Sequence, residues 1–341
     1  MSTTEVLKQT LELFSAGDEL ALSTAESFLD ALIAETDELI LIKTFHAWNE
    51  KGITENEIYQ LARIMRDRCT KVVSKHERFV DIVGTGGSKV KTFNVSTAAA
   101  FVVAGQGVPV AKHGNKAATS STGSADVLSA LGIEPSADAA TAERCLNEIG
   151  ICFMYAPNFH RLSPTLANVR RGLRFPTIFN CVGPLCNPAD APHRLIGVWD
   201  RSLLSKMAGA LARLGTKKSW IVHGEDGSDE ISVSGPTFVA EVENGKIREF
   251  EVVPEDFCIS PTSANRIRVK TPEESALIIR EVLEFKRKET IEESLVLANA
   301  AAAFYLVNGT TLSDGFANGV DTIRNGNAAR KLDDLASAVS L

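Results

Sequence analysis

From Phe79 onward, short apolar runs alternate with longer helical ones, and this alternation limits what the chain can fold into. Residues 79–83, 108–111, 151–155, 194–198 and 220–223 have the length and apolar content of buried strands. Between them, 98–104, 142–149, 166–173 and 203–214 read as helices. Strands separated by helices need crossover connections. The pattern therefore predicts an α/β fold with a mostly parallel sheet flanked by helices on both faces. One stretch breaks the rule. Residues 238–242, then Asn244 and Gly245, then 247–252 carry the signal of an antiparallel hairpin. Three helices near 273–287, 291–308 and 312–323 finish the chain, with a tail to Leu341. The segment 156–160 reads as the start of a polar loop, and 176–187, with its prolines and glycine, as irregular backbone.

The first 75 residues lack strand signals. They read as a helix over 6–14 and a second opened by Ser23, Thr24, Ala25 and Glu26 in the manner of a capping box. A third spans 39–48 and stops at Lys51 and Gly52, and a fourth spans 55–68 behind Thr54. We therefore expect a small N-terminal helical domain, 1–75, and a larger α/β domain, 76–341. Hydrophobic residues make up 44% of the 341, enough for a sizeable core. A net charge of −7 disfavours a nucleic-acid surface, which needs a basic face. No apolar run reaches the roughly 18 residues of a membrane span, and the N-terminus is not a signal peptide. Cys69, Cys145, Cys152, Cys181, Cys186 and Cys258 form no C-x-x-C pair, as expected of reduced thiols in a cytoplasmic protein.

The chemistry concentrates between Phe79 and Gly132. Gly84, Gly86 and Gly87 follow the first strand at once, where glycine permits positive φ and close approach of a ligand. Asn94, Ser96 and Thr97 then open an apolar helix, whose free N–H groups suit an anion. The second strand delivers Lys112, His113, Gly114 and Asn115 to another polar loop, and Thr119, Ser120, Ser121, Thr122 and Ser124 crowd the next helix start. Two such loops suggest a ligand with phosphate at more than one point. Neither a Walker lysine nor a G-x-G-x-x-G run is present.

The sequence D-x-V-G-T-G-G, then T-F-N-V-S-T, V-A-K-H-G-N and G-S-A-D-V-L-x-A-L-G, closely resembles the anthranilate phosphoribosyltransferase family. The likeness extends over nearly the whole chain, including F-N-x-x-G-P-L-x-N-P near 179–188 and H-G-E-D-G-S-D-E at 223–230. It implies transfer of the phosphoribosyl group of phosphoribosyl pyrophosphate to the amino group of anthranilate, the second step of tryptophan biosynthesis from chorismate. By resemblance, phosphoribosyl pyrophosphate is held by Gly84, Gly87, Ser88 and Thr92 and by Asn94, Val95, Ser96 and Thr97. The second loop adds Lys112, His113, Gly114, Asn115 and Lys116, then Ala117, Ala118, Thr119, Ser120 and Ser124. Gly84, Asn115 and Arg170 would meet anthranilate, and Ser96, Asp229 and Glu230 would bind Mg2+. Hard magnesium takes oxygen ligands, and a guanidinium fork suits a carboxylate. His113 reads equally as a packed imidazole or a ligand contact. Glu225 and Asp226 read as turn residues, and no residue is assigned as acid or base. The family also implies a homodimer through the N-terminal helices, with a contribution from about 165–190.

The chain departs from the family pattern in places. Ser88 stands where the family writes Asp, Lys116 where it writes Arg, and Arg161 and Thr165 where it writes Pro and His. Two other readings compete. A pyrimidine nucleoside phosphorylase shares the fold and glycine loop, but F-N-x-x-G-P-L-x-N-P favours the transferase. A non-catalytic nucleic-acid-binding relative is disfavoured by Ser96, Arg170, Asp229, Glu230 and the negative charge.

Overall fold

The computed structural model describes residues 2–88, 90, 92–116, 122–264 and 267–339. Four helices come first: α1 (Thr3–Ser15), α2 (Ala25–Ala34), α3 (Glu38–Lys51) and α4 (Glu55–Arg68). The capping box lies at α4, where Thr54 and Glu57 exchange side-chain and backbone bonds. At α2 the expected box does not form, because the Thr24 hydroxyl donates backward to Ala21 O. Fully buried Glu57 also receives Leu20 N at 3.1 Å, Trp48 Nε1 at 2.9 Å and Lys51 Nζ. One satisfied carboxylate thus ties the helical region together.

Among the described residues seven strands form one sheet: β1 (Val80–Gly84), β2 (Val110–Gly114), β3 (Ile151–Tyr155), β4 (His193–Gly197), β5 (Lys218–Gly224), β6 (Thr237–Glu243) and β7 (Lys246–Val252). Their spatial order is β3-β2-β1-β4-β5-β6-β7. The first five are parallel, and the β6–β7 hairpin adds antiparallel to β5. From β1 the chain works outward to β3, then returns to β4 on the other side of β1. The order therefore reverses between β1 and β4, and open α/β sheets bind ligands beyond the strand ends at such a point.

Alternate residues of the central strands enter different apolar layers, as the two-residue strand period requires. Leu195, Trp220, Val222 and Val239 belong to one core, and Ile196, Ile221 and Ala240 to the other. The first core holds α5 (Val95–Gly105), α6 (Ser124–Ala130), α7 (Ala139–Glu148) and the C-terminal helices. The second joins α1–α4 to α9 (Pro164–Gly172), α10 (Ile178–Val182) and α11 (Leu203–Arg213). The N-terminal helices therefore share a core with one face of the sheet, through residues such as Leu166, Phe179 and Leu185.

Three segments differ from the sequence reading. Residues 156–160 begin not as a loop but as α8 (Ala156–Phe159), with Pro157 in its first turn where a missing N–H costs nothing. The segment expected to be irregular folds as α10 and a 3-10 turn, Gly183–Leu185, so its buried backbone groups bond locally. After α12 (Pro272–Leu283), α13 (Ile291–Asn308) and α14 (Leu312–Arg324), the tail is a fourth helix, α15 (Asn327–Val339). It buries Ala328, Leu332 and Leu335 at helical spacing. Among the described residues no single helix is long and apolar enough to cross a membrane. Five of the six free cysteines are buried and Cys258 is exposed.

Candidate active site

The floor of the site is made by two glycines. Gly84 and Gly197 are register partners at the C-terminal ends of β1 and β4. The segment after β5 folds back across them. A Cβ at Gly197 would fall on the Asp229 carbonyl, and one at Gly84 would lie 2.9 Å from Asp229 Oδ2. Only bare backbone lets the acidic segment lie this close. Beyond β1, Gly86 and Gly87 take φ of +66° and +88°. Ser88 Oγ then sits 2.9 Å from both Val90 O and Gly227 O, linking the glycine loop to the acidic loop. Glu225 and Asp226 occupy the turn, where Asp226 accepts from Ser228 and Ser232.

Helix α5 begins at Val95, with Asn94 at its N-cap but making no capping bond. The Asn94 side chain is engaged elsewhere. Its Oδ1 accepts from Thr122 at 2.9 Å and from Ser275 at 3.0 Å, and its backbone N–H donates to Ser275 Oγ at 3.0 Å. Ser275, fully buried on α12, thereby fixes the loop from 181 residues away. Val95 and Thr97 are buried behind the wall, and neither side chain lines the cavity.

The second loop leaves β2. Lys112 is 4% exposed, with Nζ 2.5 Å from Ile82 O and 3.2 Å from Ser96 Oγ. Burial pulls its ammonium down to about 8, against the pull of Asp81 and Glu230. Burial, then Asp229 and Asp226, hold the Glu230 carboxyl well above its usual range, opposed only in part by Lys112. Asp81 accepts from Asn187 Nδ2 at 2.8 Å and His113 N at 3.2 Å, bracing the strand from which Lys112 projects. Burial keeps the His113 and His160 imidazoles neutral, His160 at about 4. Each bonds the backbone of the 183–186 turn and leaves a buried Nε2 without a partner. His113 is thus packed and also lines the cavity.

Arg170 lies near the end of α9. Its guanidinium carbon is 4.7 Å from the Phe179 ring centre, and its buried Nε has no partner. Among the described residues no carboxylate forms an ion pair with it. Burial pushes it down to about 10. Arg171 bonds Asn168 at the surface, and Arg174 is exposed.

One cavity of about 380 Å3 gathers these groups. Its lining includes Gly84, Gly87, Ser88, Thr92, Asn94 and Ser96, then Lys112, His113, Gly114, Asn115, Lys116 and Ser124, then Arg170, Asp229 and Glu230. The expectations placed on Ala117, Ala118, Thr119 and Ser120 lie outside the described residues. The sequence reading missed Met65, His160, Phe179, Asn180 and Asn299, which also line the cavity. Of these, Phe179 and Asn180 open the motif F-N-x-x-G-P-L-x-N-P, the signal that could have found them. Asn180 Oδ1 accepts Thr177 N at 2.9 Å while Nδ2 donates to Thr85 O at 3.0 Å, joining α10 to the glycine loop.

Among the described residues no three His, Cys, Asp or Glu side chains converge into a cation cage. The Asp229–Glu230 pair with the Ser96 hydroxyl is nonetheless an all-oxygen set carrying excess negative charge. Such a set suits magnesium, which commonly takes one or two carboxylates and completes its shell with substrate phosphates.

The sheet order, the glycine cleft at the switch point and the carboxylate pair make an anion- and cation-binding α/β site, and the chain is a glycosyl-transferring enzyme by class, since residues 76–329 match the model of the "Glycosyl transferase family, a/b domain". Over 329 residues, 96% of each chain, the sequence is 42% identical to the anthranilate phosphoribosyltransferase of Symbiobacterium thermophilum. The crystal structure of the Thermus thermophilus enzyme of that name is similar with a TM-score of 0.88 and 34% identity, covering 97% of this chain and 99% of that one. The Saccharomyces cerevisiae enzyme in complex with phosphoribosyl pyrophosphate and Mg superposes with a TM-score of 0.82 at 27% identity, covering 99% and 93%. The chain belongs to the anthranilate phosphoribosyltransferase family.

Proposed function

We propose that the chain transfers the phosphoribosyl group of phosphoribosyl pyrophosphate to the amino nitrogen of anthranilate, releasing pyrophosphate, as the second step of tryptophan biosynthesis from chorismate. The observation that carries this reading is Arg170. A half-buried guanidinium whose Nε has no partner, and which pairs with no carboxylate among the described residues, faces the same cavity as the glycine loop and the carboxylate pair. An aromatic acceptor bearing a carboxylate supplies that partner. Phe179, Met65 and Leu162 give it apolar wall to rest on.

The reaction breaks the bond between the ribose anomeric carbon and pyrophosphate through an oxocarbenium-like state. Gly84, Gly87, Ser88 and the α5 N-terminus receive the pyrophosphate and ribose, and Lys112 with Asn115, Lys116 and Ser124 the remaining phosphate charge. Asp229, Glu230 and Ser96 would hold magnesium, which neutralises charge on the leaving group when bound. The amine nitrogen is a weak base that needs positioning more than deprotonation, and Arg170 with Asn115 orients it. We assign no general base.

The assembly we propose is a homodimer through α1–α4 with a contribution from about 165–190. Exposed Leu22 and Leu39 on that helical region support it. Sedimentation velocity at micromolar protein should give a dimer, and a lone monomer would refute it. Six free thiols fit the cytoplasm, and a net charge of −7 fits a protein without nucleic acid. The decisive assay mixes the protein with phosphoribosyl pyrophosphate, Mg2+ and anthranilate and follows anthranilate fluorescence. Fluorescence should fall only when all three are present. No fall would sink the reading, and phosphorolysis of a pyrimidine nucleoside would replace it.

A further inference from the structure

Helix α13 is nearly featureless chemically. From Leu295 to Phe304 every residue is buried, and Asn299 is the one polar side chain among them. A buried amide is costly unless its hydrogen bonds are made. Those of Asn299 are made, and two go to one residue. Oδ1 accepts Ile231 N at 3.1 Å, while Nδ2 donates to Ile231 O at 3.3 Å and to Leu295 O at 2.9 Å. Ile231 is fully buried and lies outside the sheet, so no strand is available to pair its backbone. The Asn299 amide takes the place of that strand.

The residues just before Ile231 are Glu230 and Asp229. Asp229 lies across the Gly84–Gly197 floor, and Glu230 feels the Lys112 ammonium. Two mutually repelling carboxylates will spread apart unless the backbone carrying them is fixed. Ser88 fixes the near end of the loop at Gly227. Asn299 fixes the far end at Ile231 and itself lines the cavity. We propose that Asn299 is a positioning residue for phosphoribosyl transfer, pinning Ile231 so that the Asp229 and Glu230 carboxylates face the divalent cation that accompanies pyrophosphate. This rests on the function proposed above.

The test is Asn299→Leu, which keeps the number and branching of the side-chain heavy atoms and removes all three bonds. Outer-shell partners of metal ligands are typically worth ten- to a hundredfold in metal affinity. Initial rates against Mg2+ at saturating phosphoribosyl pyrophosphate should show a metal requirement raised at least tenfold, with the anthranilate KM within about twofold. Independently of turnover, Mn2+ titrated into protein with phosphoribosyl pyrophosphate should bind at least tenfold more weakly by electron paramagnetic resonance. If the variant does not fold, Asn299→Ala is read against the same expectations. A lowered melting temperature with unchanged metal requirement and Mn2+ affinity would overturn the proposal, because Asn299 would then serve only the core. Failure of the function itself is distinguishable, since the unaltered protein would show no transfer in the fluorescence assay.

Discussion

Replacing Arg170 by Met tests the acceptor site most directly. The substitution keeps an unbranched apolar stem against Phe179 and removes the charge. Burial lowers the guanidinium from 12.5 to about 10. At about 1.4 kcal/mol per pKa unit, about 3 kcal/mol is set against the charged form. The sign follows from proton counting. The folded chain releases this proton more readily than the unfolded chain, so the cost is fully present below pH 10 and fades only above it. At neutral pH the free protein therefore carries a strained cation. A bound carboxylate relieves it, and breaking such a buried pair costs on the order of 2–4 kcal/mol. We expect kcat/KM for anthranilate to fall roughly thirty- to a thousandfold. The KM for phosphoribosyl pyrophosphate should stay within about threefold, since its proposed contacts lie on the glycine and Lys112 loops. The melting temperature should hold or rise, because replacing a buried unpaired charge with a well-packed apolar group is often stabilising. Steady-state kinetics with each substrate varied, together with calorimetry, measures all three. Equal loss toward both substrates, or a melting temperature lowered by several degrees, would show that Arg170 serves the fold and not the acceptor.

Three further outcomes follow from the same geometry. Asp229→Asn with Glu230→Gln should abolish magnesium-dependent turnover while leaving the melting temperature equal or higher, because burial and the neighbouring Asp229 disfavour the ionised Glu230 carboxyl; a near-normal rate would remove these residues from metal binding. His160 is held at about 4 against 6.5, so stability should fall as pH drops from 6.5 towards 4, by about 2 kcal/mol at pH 5. His160→Gln should remove its share of that dependence in urea titrations and leave the share carried by the likewise buried His113, and an unchanged profile would contradict it. Ser275→Ala should cost the Asn94 clamp about 1–2 kcal/mol and raise the phosphoribosyl pyrophosphate KM about five- to thirtyfold, with anthranilate unaffected; no change would mean that Asn94 holds its place without α12.

The sheet was legible because its strands are short apolar runs bounded by glycine and polar residues, a local signal. The hairpin was legible through Asn244 and Gly245, both at positive φ. Helix α15 was overlooked although Ala328, Leu332 and Leu335 recur at helical spacing, because the apolar stripe is narrow and Arg330, Lys331, Asp333 and Asp334 interrupt it in the linear sequence. Prolines hid α8 and α10. Pro157 in α8 sits in a first turn, where proline is tolerated, and Pro184 follows α10. In the site, the residues placed by motif at strand ends came together in one cavity. Ser275 and Asn299 did not announce themselves. Each is a single polar residue within a helix and acquires meaning only when the fold brings it 181 or 68 positions back along the chain.

The β6–β7 hairpin also determines how the sheet ends. A parallel strand buried on both faces would be a hazardous border, since its open row of N–H and C=O groups invites another chain to add on. At one border β3 is buried beneath neighbouring elements. At the other, β7 is largely solvent-exposed and carries Lys246, Arg248, Glu249 and Glu251. Charges of both signs on an outermost strand discourage a second molecule from docking edge to edge. Neutralising all four by Lys246→Val, Arg248→Val, Glu249→Val and Glu251→Val should make the hairpin a template for self-association, far from the Gly84–Gly197 end of the sheet.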